Sequence, residues 1–250
     1  ADSQNNRIRK VSTNGIITTV AGIGTTGYSG DGGLATAAGL NYPAGVALDG
    51  SGNLYIADQG NHRIRKVSTN GGITTIAGNG TAGGGGDGGL ATAANLANPA
   101  SVVVDGNGTL YIADYGNNRI RKVTASGIIS TVAGNGSHGF SGDGGLATAA
   151  VLDNPFNVAV DGVGNLYISD SGNQRSRKGT MPSVTIKTTS SLAVCSGNPF
   201  SLTAVANGFS PNTYTWSSQP GGFSATGSNP AFTAPVVNTP AVYTLTVTAT

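Results

Sequence analysis

The most informative part of the sequence is a repeated segment, which in one copy reads Gly52-Asn53-Leu54-Tyr55-Ile56-Ala57-Asp58-Gln59-Gly60-Asn61-His62-Arg63-Ile64-Arg65-Lys66. Its apolar part, Tyr55 to Asp58, recurs from Tyr111 and again from Tyr167, which gives a period of 56 residues without insertions. The chain opens on Ala1-Asp2, which matches the end of a further copy. A period of this length indicates supersecondary units that are each stacked on their neighbours.

Each unit contains four short apolar runs separated by turn residues. Glycine and asparagine in the turns supply the positive φ angles that tight hairpins need. The runs predict strands at Gly45 to Asp49, Leu54 to Ala57, Arg63 to Val67 and Ile73 to Ala77. Four antiparallel strands repeated radially form the blade of a β-propeller, so the predicted fold class is all-β.

A long connection joins successive units, for example Gly78 to Pro99. Within it Asp87 is a candidate helix N-cap, and residues Leu90 to Ala94 are expected to form one or two helical turns behind it. Two glycines in the first turn weaken such a helix, so we expect packing against the blades to hold it in place.

The opening stretch closely resembles the NHL repeat, and the match recurs in phase over residues 1–178. This resemblance implies an NHL-type propeller, which commonly has six blades in that family. Residues 1–178 hold about three and a half units, with three complete first hairpins, so we expect a partial ring.

The repeat stops after Lys178, where residues 179–182 are predicted to be a linker. Residues 183–250 alternate in the manner of strands. Tyr214-Thr215-Trp216 resembles the strand that places a tryptophan in the core of an immunoglobulin-like or PKD-like β-sandwich, and Tyr243 resembles a corner tyrosine. The resemblance implies a module of a bacterial secreted or cell-surface protein, and we expect this sandwich to lack its last strand.

The charges follow the repeat. The formal net charge is +2, glutamate is absent, and nearly all aspartates, arginines and lysines lie at repeated positions. Such a balance argues against a nucleic-acid partner. No apolar run of 18 residues is present, so no membrane span is predicted.

Arginine and aspartate recur on either side of the same turn. A guanidinium binds a carboxylate through two parallel hydrogen bonds, which favours structural ion pairs across that turn or to the next blade. The alternative is that the arginine rows bind a polyanion or polysaccharide. The predicted pairs are Asp2 with Arg7, Asp58 with Arg63, Asp114 with Arg119, and Asp170 with Arg175.

The long connections carry repeated aspartates that are predicted to cap and shape loops, or to form part of a ligand face. Calcium is an alternative role, but each loop offers one carboxylate where calcium prefers several oxygens. The two histidines occupy different repeat positions, so no metal site and no cofactor is predicted. The aspartates are Asp31, Asp87 and Asp143.

The candidate exposed aromatics are Tyr28 and Phe140, at equivalent positions of these connections, and Tyr115, in the turn after Asp114. Loops on a rigid scaffold often carry recognition, so these rings are candidates for a binding surface. The alternative is that they pack the loops down onto the blades.

No catalytic constellation is evident, and the leading functional hypothesis is a non-catalytic extracellular scaffold, adhesion module or filament subunit. Its partners would be further copies of itself or neighbouring domains, with missing strands supplied between subunits by β-augmentation. The first alternative is a propeller that binds glycans or peptides on the Asp-Gly-Gly loop face. The second is a metal-dependent lyase or hydrolase.

Overall fold

A computed structural model describes residues 1–180 and six later strands, namely residues 183–188, 200–207, 214–219, 224–227, 231–234 and 244–249. The chain forms two compact units, Ala1–Thr180 and Met181–Thr250. No helix in these described segments has the length and apolar character needed to span a bilayer.

The first unit consists of consecutive antiparallel sheets, each built from strands that follow one another along the chain. The predicted all-β class with repeated four-stranded sheets is therefore confirmed. The sheets are a pair β1 (Ile8–Val11) and β2 (Ile17–Ala21); a first blade β3 (Pro43–Leu48), β4 (Leu54–Asp58), β5 (Arg63–Val67) and β6 (Ile73–Ala77); a second blade β7 (Pro99–Val104), β8 (Leu110–Asp114), β9 (Arg119–Val123) and β10 (Ile129–Ala133); and a third blade β11 (Pro155–Val160), β12 (Asn165–Asp170) and β13 (Arg175–Thr180).

Strand β13 continues two residues beyond the predicted end of the repeat at Lys178. Gly179 and Thr180 extend its pairing with β12, opposite Leu166 and Asn165. Gly179 is therefore paired in an ordinary antiparallel ladder and does not form a turn.

The first and second blades pack face to face and bury one apolar layer between them. Tyr55 and Ala57 of the first blade, together with Val102 and Ile112 of the second, belong to this layer. Leu96 of the intervening connection completes it. Each blade therefore hides an apolar face against its neighbour, as expected for stacked units.

Three connections lead into the blades: the first (residues 22–42), the second (78–98) and the third (134–154). Each of the first two crosses the outer edge of the blade that follows it. In the second connection, the Gly88 amide donates to Ile129 at 2.8 Å and the Ala91 amide donates to Gly127 at 2.8 Å. The first connection binds the first blade through Gly32 and Ile73 in the same way, at 2.8 Å. The connections thus act as partial fifth strands.

The helix predicted behind Asp87 is a single 3-10 turn, and Asp87 is not its cap. Leu90 precedes the turn and no side chain caps it. Asp87, Gly88 and Gly89 instead form a turn, in which the Gly89 amide donates to the Gly86 carbonyl at 3.1 Å, and the Asp87 carboxylate binds elsewhere, as described below. The 3-10 turns of the first unit are Ser3–Asn5, Ala35–Ala37, Gln59–Asn61, Ala91–Ala93, Tyr115–Asn117, Ala147–Ala149 and Ser171–Asn173.

The second unit contains two three-stranded antiparallel sheets, in the orders β14-β15-β18 and β17-β16-β19. Trp216 lies on β16 opposite Val247, but its side chain, and Tyr243 altogether, lie outside the described residues, so their predicted core roles stay predictions. The strands are β14 (Ser183–Thr188), β15 (Phe200–Asn207), β16 (Tyr214–Gln219), β17 (Ser224–Gly227), β18 (Ala231–Ala234) and β19 (Thr244–Ala249).

Candidate functional site: the arginine clusters and the loop face

The third strand of the first blade carries a fully buried arginine, Arg65. Its Nη1 donates to Asp58 Oδ2 at 3.2 Å, and its Nη2 donates to Asp31 Oδ1 at 2.6 Å. Nη2 also donates to the carbonyl of Ser29 at 3.1 Å. Asp58 belongs to the blade, whereas Asp31 and Ser29 belong to the first connection. This arginine cluster therefore fastens the connection to the blade.

The other blades repeat the cluster. Arg121 binds Asp114 at 3.2 Å and Asp87 at 2.7 Å, and it is also fully buried. In the third blade the corresponding triad is Arg177, Asp170 and Asp143. Arg65, Arg121 and Arg177 are therefore paired with carboxylates inside the fold, so these three arginines do not form a free row for binding a polyanion.

The partner of the turn aspartate differs from the one predicted. Asp58 was expected to pair with Arg63, its neighbour across the turn, and the same error applies to Asp114 with Arg119 and to Asp170 with Arg175. Arg63 lies at the strand end, where its Nη2 donates to the Asn79 carbonyl at 2.7 Å. The Asp58 carboxylate instead accepts from the Asn41 amide at 2.8 Å and faces the interior, where the second arginine of the motif lies.

The opening copy, Asp2 with Arg7, is joined through the backbone. The Asp2 amide donates to the Arg7 carbonyl at 2.9 Å, while Arg7 Nη2 donates to the Ile23 carbonyl at 2.9 Å. The Asp2 side chain accepts from Asn5 at 2.9 Å. The predicted ion pair is therefore replaced here by two separate contacts, because each group has a nearer backbone or amide partner.

Burial and hydrogen bonding act in opposite directions on the cluster carboxylates. Burial raises the pKa of Asp114 to about 6, although hydrogen bonds from Asn117 and Ala97 and the charge of Arg121 oppose this. Burial likewise raises the pKa of Asp58. At Asp31 burial is outweighed by hydrogen bonds from Thr75 and Tyr28 and by Arg65, so its pKa is lowered. In the first blade the inner carboxylate, Asp58, therefore has the raised pKa and the outer one, Asp31, the lowered pKa.

Two of the three predicted aromatics lie on the arginines. The guanidinium carbon of Arg63 lies 3.6 Å from the centre of the Tyr28 ring, and that of Arg175 lies 3.9 Å from the Phe140 ring. The Tyr28 hydroxyl also donates to Asp31 at 2.9 Å. Both rings remain more than two-fifths exposed, at 44% and 42%. They therefore cover the arginine clusters and border solvent at the same time.

The third aromatic, Tyr115, lies on a different element. Its ring meets Phe156 of β11 edge to face, with ring centres 6.3 Å apart. This contact joins the turn of the second blade to the first strand of the third.

The other repeated aspartates hold hairpin turns. Asp49 accepts from the backbone amides of Ser51 and Asn53 at 3.0 and 2.8 Å, and from the Tyr55 hydroxyl at 3.1 Å. Hydrogen bonds, that from Asn53 foremost, lower the pKa of Asp49 to about 2. No group of three potential metal-ligating His, Cys, Asp or Glu side chains occurs among the residues that the structure describes.

The family follows from comparison with known proteins. A family model described as the teneurin NHL domain matches residues 1–68, 25–84 and 80–141. These matches together cover more than half of the chain. The chain belongs to the teneurin NHL domain family. The predicted NHL resemblance is therefore confirmed for the repeat.

Individual relatives agree with this assignment. Human teneurin-4 is 43% identical over an alignment of 101 residues that covers 35% of this chain. Teneurin-m of Drosophila melanogaster is 32% identical over an alignment of 170 residues that covers 61% of this chain. This chain spans 4% and 6% of the length of those two proteins. The activities and partners of whole teneurins therefore do not transfer directly to it.

Solved structures share the fold. A Bacteroides thetaiotaomicron protein of unknown function has a TM-score of 0.54 at 22% identity, over 70% of this chain and 42% of that one. A nutrient-binding auxiliary protein of the same species gives 0.54 at 22% identity, over 70% and 43%. At this identity the likeness shows the fold alone.

This NHL domain has a repeated joint between blades that the sequence analysis missed. The backbone amide of Tyr42 donates to Asn6 Oδ1, and that of Asn154 donates to Asn118 Oδ1, both at 2.8 Å. At the joint between the first and second blades, the acceptor is instead Nδ1 of His62, 3.1 Å from the Asn98 amide. His62 must therefore be unprotonated at Nδ1 to keep the joint.

We expect acid to weaken this joint. Burial, and secondarily the charge of Arg63, lowers the pKa of His62 below its ordinary 6.5. The folded chain then binds fewer protons than the unfolded chain, so the joint contributes fully to stability above pH 6.5 and this contribution is lost as the pH falls through the lowered pKa of folded His62. Urea titrations at pH 8 and pH 5 should show a loss that is about 0.5–1 kcal/mol larger in the wild type than in His62→Asn. An equal acid loss in both proteins would contradict this role.

Proposed function

We propose that this chain is a non-catalytic recognition scaffold of a large secreted or cell-surface protein, in which the loop face of the propeller binds other protein surfaces. In this proposal residues 1–178 carry the propeller repeats and residues 183–250 are an immunoglobulin-like or PKD-like spacer of a bacterial surface protein. Residues 179–182 join them, the first two by completing β13. Further copies of the chain or neighbouring domains are the proposed partners.

The observation that carries the proposal is the distribution of exposed aromatic rings. Tyr28, Tyr42, Phe140 and Phe156 are the exposed aromatics at the blade end formed by the connections and the 3-10 turns after β4, β8 and β12, which we call the loop face. The large exposed side chains at the opposite end include Leu48 and Val163, which are aliphatic. One further exposed aromatic, Tyr167 on β12, lies outside the loop face, and its hydroxyl donates to Asp161 of the turn between β11 and β12. Aromatic residues are enriched at protein interfaces, whereas charged residues are depleted from interface cores. The inner aspartates and the second arginine of each motif lie inside the clusters, so the loop face presents rings and backbone beside the outer aspartates.

Tyr42 has a further property that favours recognition. Its φ is +49°, in the left-handed region, and the equivalent residues of the next two units are Asn98 and Asn154 with φ of +49° and +50°. Asparagine tolerates this conformation, whereas tyrosine is strained in it. An exposed residue that is kept at a cost to stability is typical of a functional position.

We expect Tyr42→Asn to raise the free energy of unfolding by about 1 kcal/mol, because it removes this strain. The reciprocal change Asn98→Tyr is the matched control and should lower it by about the same amount. Denaturant unfolding measures both. If Tyr42→Asn were destabilising, the tyrosine would be contributing packing and the strain argument would be wrong.

The recognition role is tested by coating beads with the whole chain and measuring clustering. Clustering should occur with the wild type and should fall in Tyr42→Asn/Phe156→Ala, whereas Leu48→Ser/Val163→Ser at the opposite end should cluster normally. Wild-type beads that stay dispersed would overturn recognition between copies. A strictly monomeric chain in sedimentation would remove the filament version, in which strands are shared between subunits.

A second candidate is a propeller that binds glycans or peptides on the same loop face, since exposed rings with neighbouring backbone donors also suit such ligands. Glycan or peptide array signals that disappear in Tyr42→Asn/Phe156→Ala, without bead clustering, would favour it. Substrate turnover abolished by a chelator would overturn the non-catalytic assignment and support the metal-dependent lyase or hydrolase.

A further inference from the structure

One position of the repeat is filled by an aromatic ring in the first and third units and by glycine in the second: Tyr28, Gly84 and Phe140. The Tyr28 ring lies 3.6 Å from the Arg63 guanidinium carbon and 4.8 Å from that of Arg65. Phe140 lies 3.9 and 4.9 Å from the two corresponding arginines of the third blade. In the first and third blades, both arginines of the pair therefore stack on one aromatic ring.

The second blade keeps the arginine pair but has no ring of its own. Three of its buried polar atoms have no hydrogen-bond partner, namely Nε of Arg119, Nε of Arg121 and Oγ1 of Thr131. Arg121 is fully buried. Unsatisfied buried donors are uncommon in native proteins, and each one calls for an explanation.

In the first blade the equivalent atoms are satisfied or covered. Arg65 Nε donates to Asp31 at 3.1 Å, and Thr75 Oγ1 lies 3.3 Å from the Tyr28 hydroxyl. That hydroxyl also donates to Asp31 at 2.9 Å. The phenol of Tyr28 therefore completes the polar network as well as covering the arginines.

We propose that the arginine cluster of the second blade is a binding site for a phenol ring, supplied as a tyrosine side chain by a protein partner. The ring stacks on the Arg119 guanidinium as Tyr28 stacks on Arg63. Its hydroxyl donates to Asp87, which is 44% exposed, and meets Thr131 Oγ1. That the phenol belongs to a protein partner rests on the recognition role proposed above.

A ring can reach the site from outside once the Arg119 side chain turns away from Gly84. Tyr28 and Phe140 remain substantially exposed in their own clusters, so the corresponding place in the second blade borders solvent. The Arg119 guanidinium now donates to the Gly84 carbonyl at 2.9 Å. It is the flexible end of a side chain and can turn back to the position that Arg63 takes beside Tyr28.

The chain offers its own positive and negative controls. Gly84→Tyr supplies the ring from within and should close the site; a Cβ added at Gly84 would first meet only the end of the Arg119 side chain, at 2.7 Å. Tyr28→Gly should open an equivalent site in the first blade. The two variants change the number of sites in opposite directions.

The test is a titration of the whole chain with N-acetyl-L-tyrosinamide, followed by NMR of the arginine Nε–H groups. We expect saturable shifts of Arg119 and Arg121 with a dissociation constant on the order of 1 mM, and about fivefold weaker binding of N-acetyl-L-phenylalaninamide. In Gly84→Tyr these shifts should vanish while the thermal midpoint of unfolding rises. In Tyr28→Gly, Arg63 and Arg65 should shift as well.

Two results would overturn the site: no saturable shift in the wild type, or the same shifts in Gly84→Tyr. A Gly84→Tyr variant with a lowered thermal midpoint would also count against it, because the added ring would then not fit the arginine pair. Failure of this site leaves the bead assay unaffected, since that assay reports on Tyr42 and Phe156. The failure of either proposal can therefore be distinguished from that of the other.

Discussion

Replacing Arg121 by methionine is expected to lower the free energy of unfolding by about 3–5 kcal/mol at pH 8. Arg121 is fully buried and binds Asp114, which is itself fully buried, at 3.2 Å. Methionine fills much of the arginine stem but leaves the Asp114 carboxylate in the interior without its cation. The second connection also loses the contact between Asp87 and the blade.

The loss should depend on pH in a defined direction. Burial already raises the pKa of Asp114 to about 6, and removal of the adjacent positive charge raises it further. A carboxyl whose pKa is higher in the folded than in the unfolded chain favours folding at low pH, and this contribution fades as the pH rises through the folded pKa. The destabilisation caused by Arg121→Met should therefore be smaller at pH 5 than at pH 8.

Lys122→Met is the matched control for this prediction. Lys122 is the next residue on the same strand, so its side chain points to the other face of the sheet. It should change the free energy of unfolding by about 0.5 kcal/mol or less. Adding Asp114→Asn to Arg121→Met should recover part of the loss at pH 8, since the buried charge is then gone. An additive double mutant in urea titrations would show that the two side chains do not interact.

The strands of this domain could be predicted from its sequence because strand and turn signals are local. The runs predicted at Arg63 to Val67 and Ile73 to Ala77 match β5 and β6 residue for residue. The first strand begins two residues earlier than predicted, at Pro43, because Pro43 pairs with Asp58 at the end of the hairpin. The repeat period, the turn residues and the apolar alternation all predict the same strand positions.

The partners of the charged residues could not be predicted in the same way. Asp31 and Arg65 are 34 residues apart, and they meet because the first connection crosses the outer edge of the blade that follows it. The sequence shows a carboxylate between glycines, which is equally consistent with a cap, a turn or a calcium ligand.

The strain at Tyr42 was missed for a different reason. Its signal was the asparagine at the two equivalent positions, which is informative only once the φ angle is known.

Gly78→Ala is expected to lower the free energy of unfolding by about 4 kcal/mol, which is the second large effect. Gly78 follows β6 at a φ of +86°, and a Cβ there would overlap the His62 carbonyl oxygen and lie 3.0 Å from Arg63 Cα. Both obstacles are backbone, so neither can turn aside as a side chain can. The equivalent glycines Gly22 and Gly134 have the same contacts, so the close approach is a property of the repeat.

Gly108→Ala separates the two causes of this loss. Gly108 has a φ of +79°, but a Cβ there would have no atom within 4 Å. It should therefore cost about 1–2 kcal/mol, the strain of a left-handed backbone alone. Both losses are measured in urea. Subtracting the Gly108→Ala loss from the Gly78→Ala loss gives the free-energy cost of moving the backbone of His62 and Arg63 away from residue 78. If the two losses were equal, the close approach of Gly78 to the start of β5 would not be contributing to the stability of the blade.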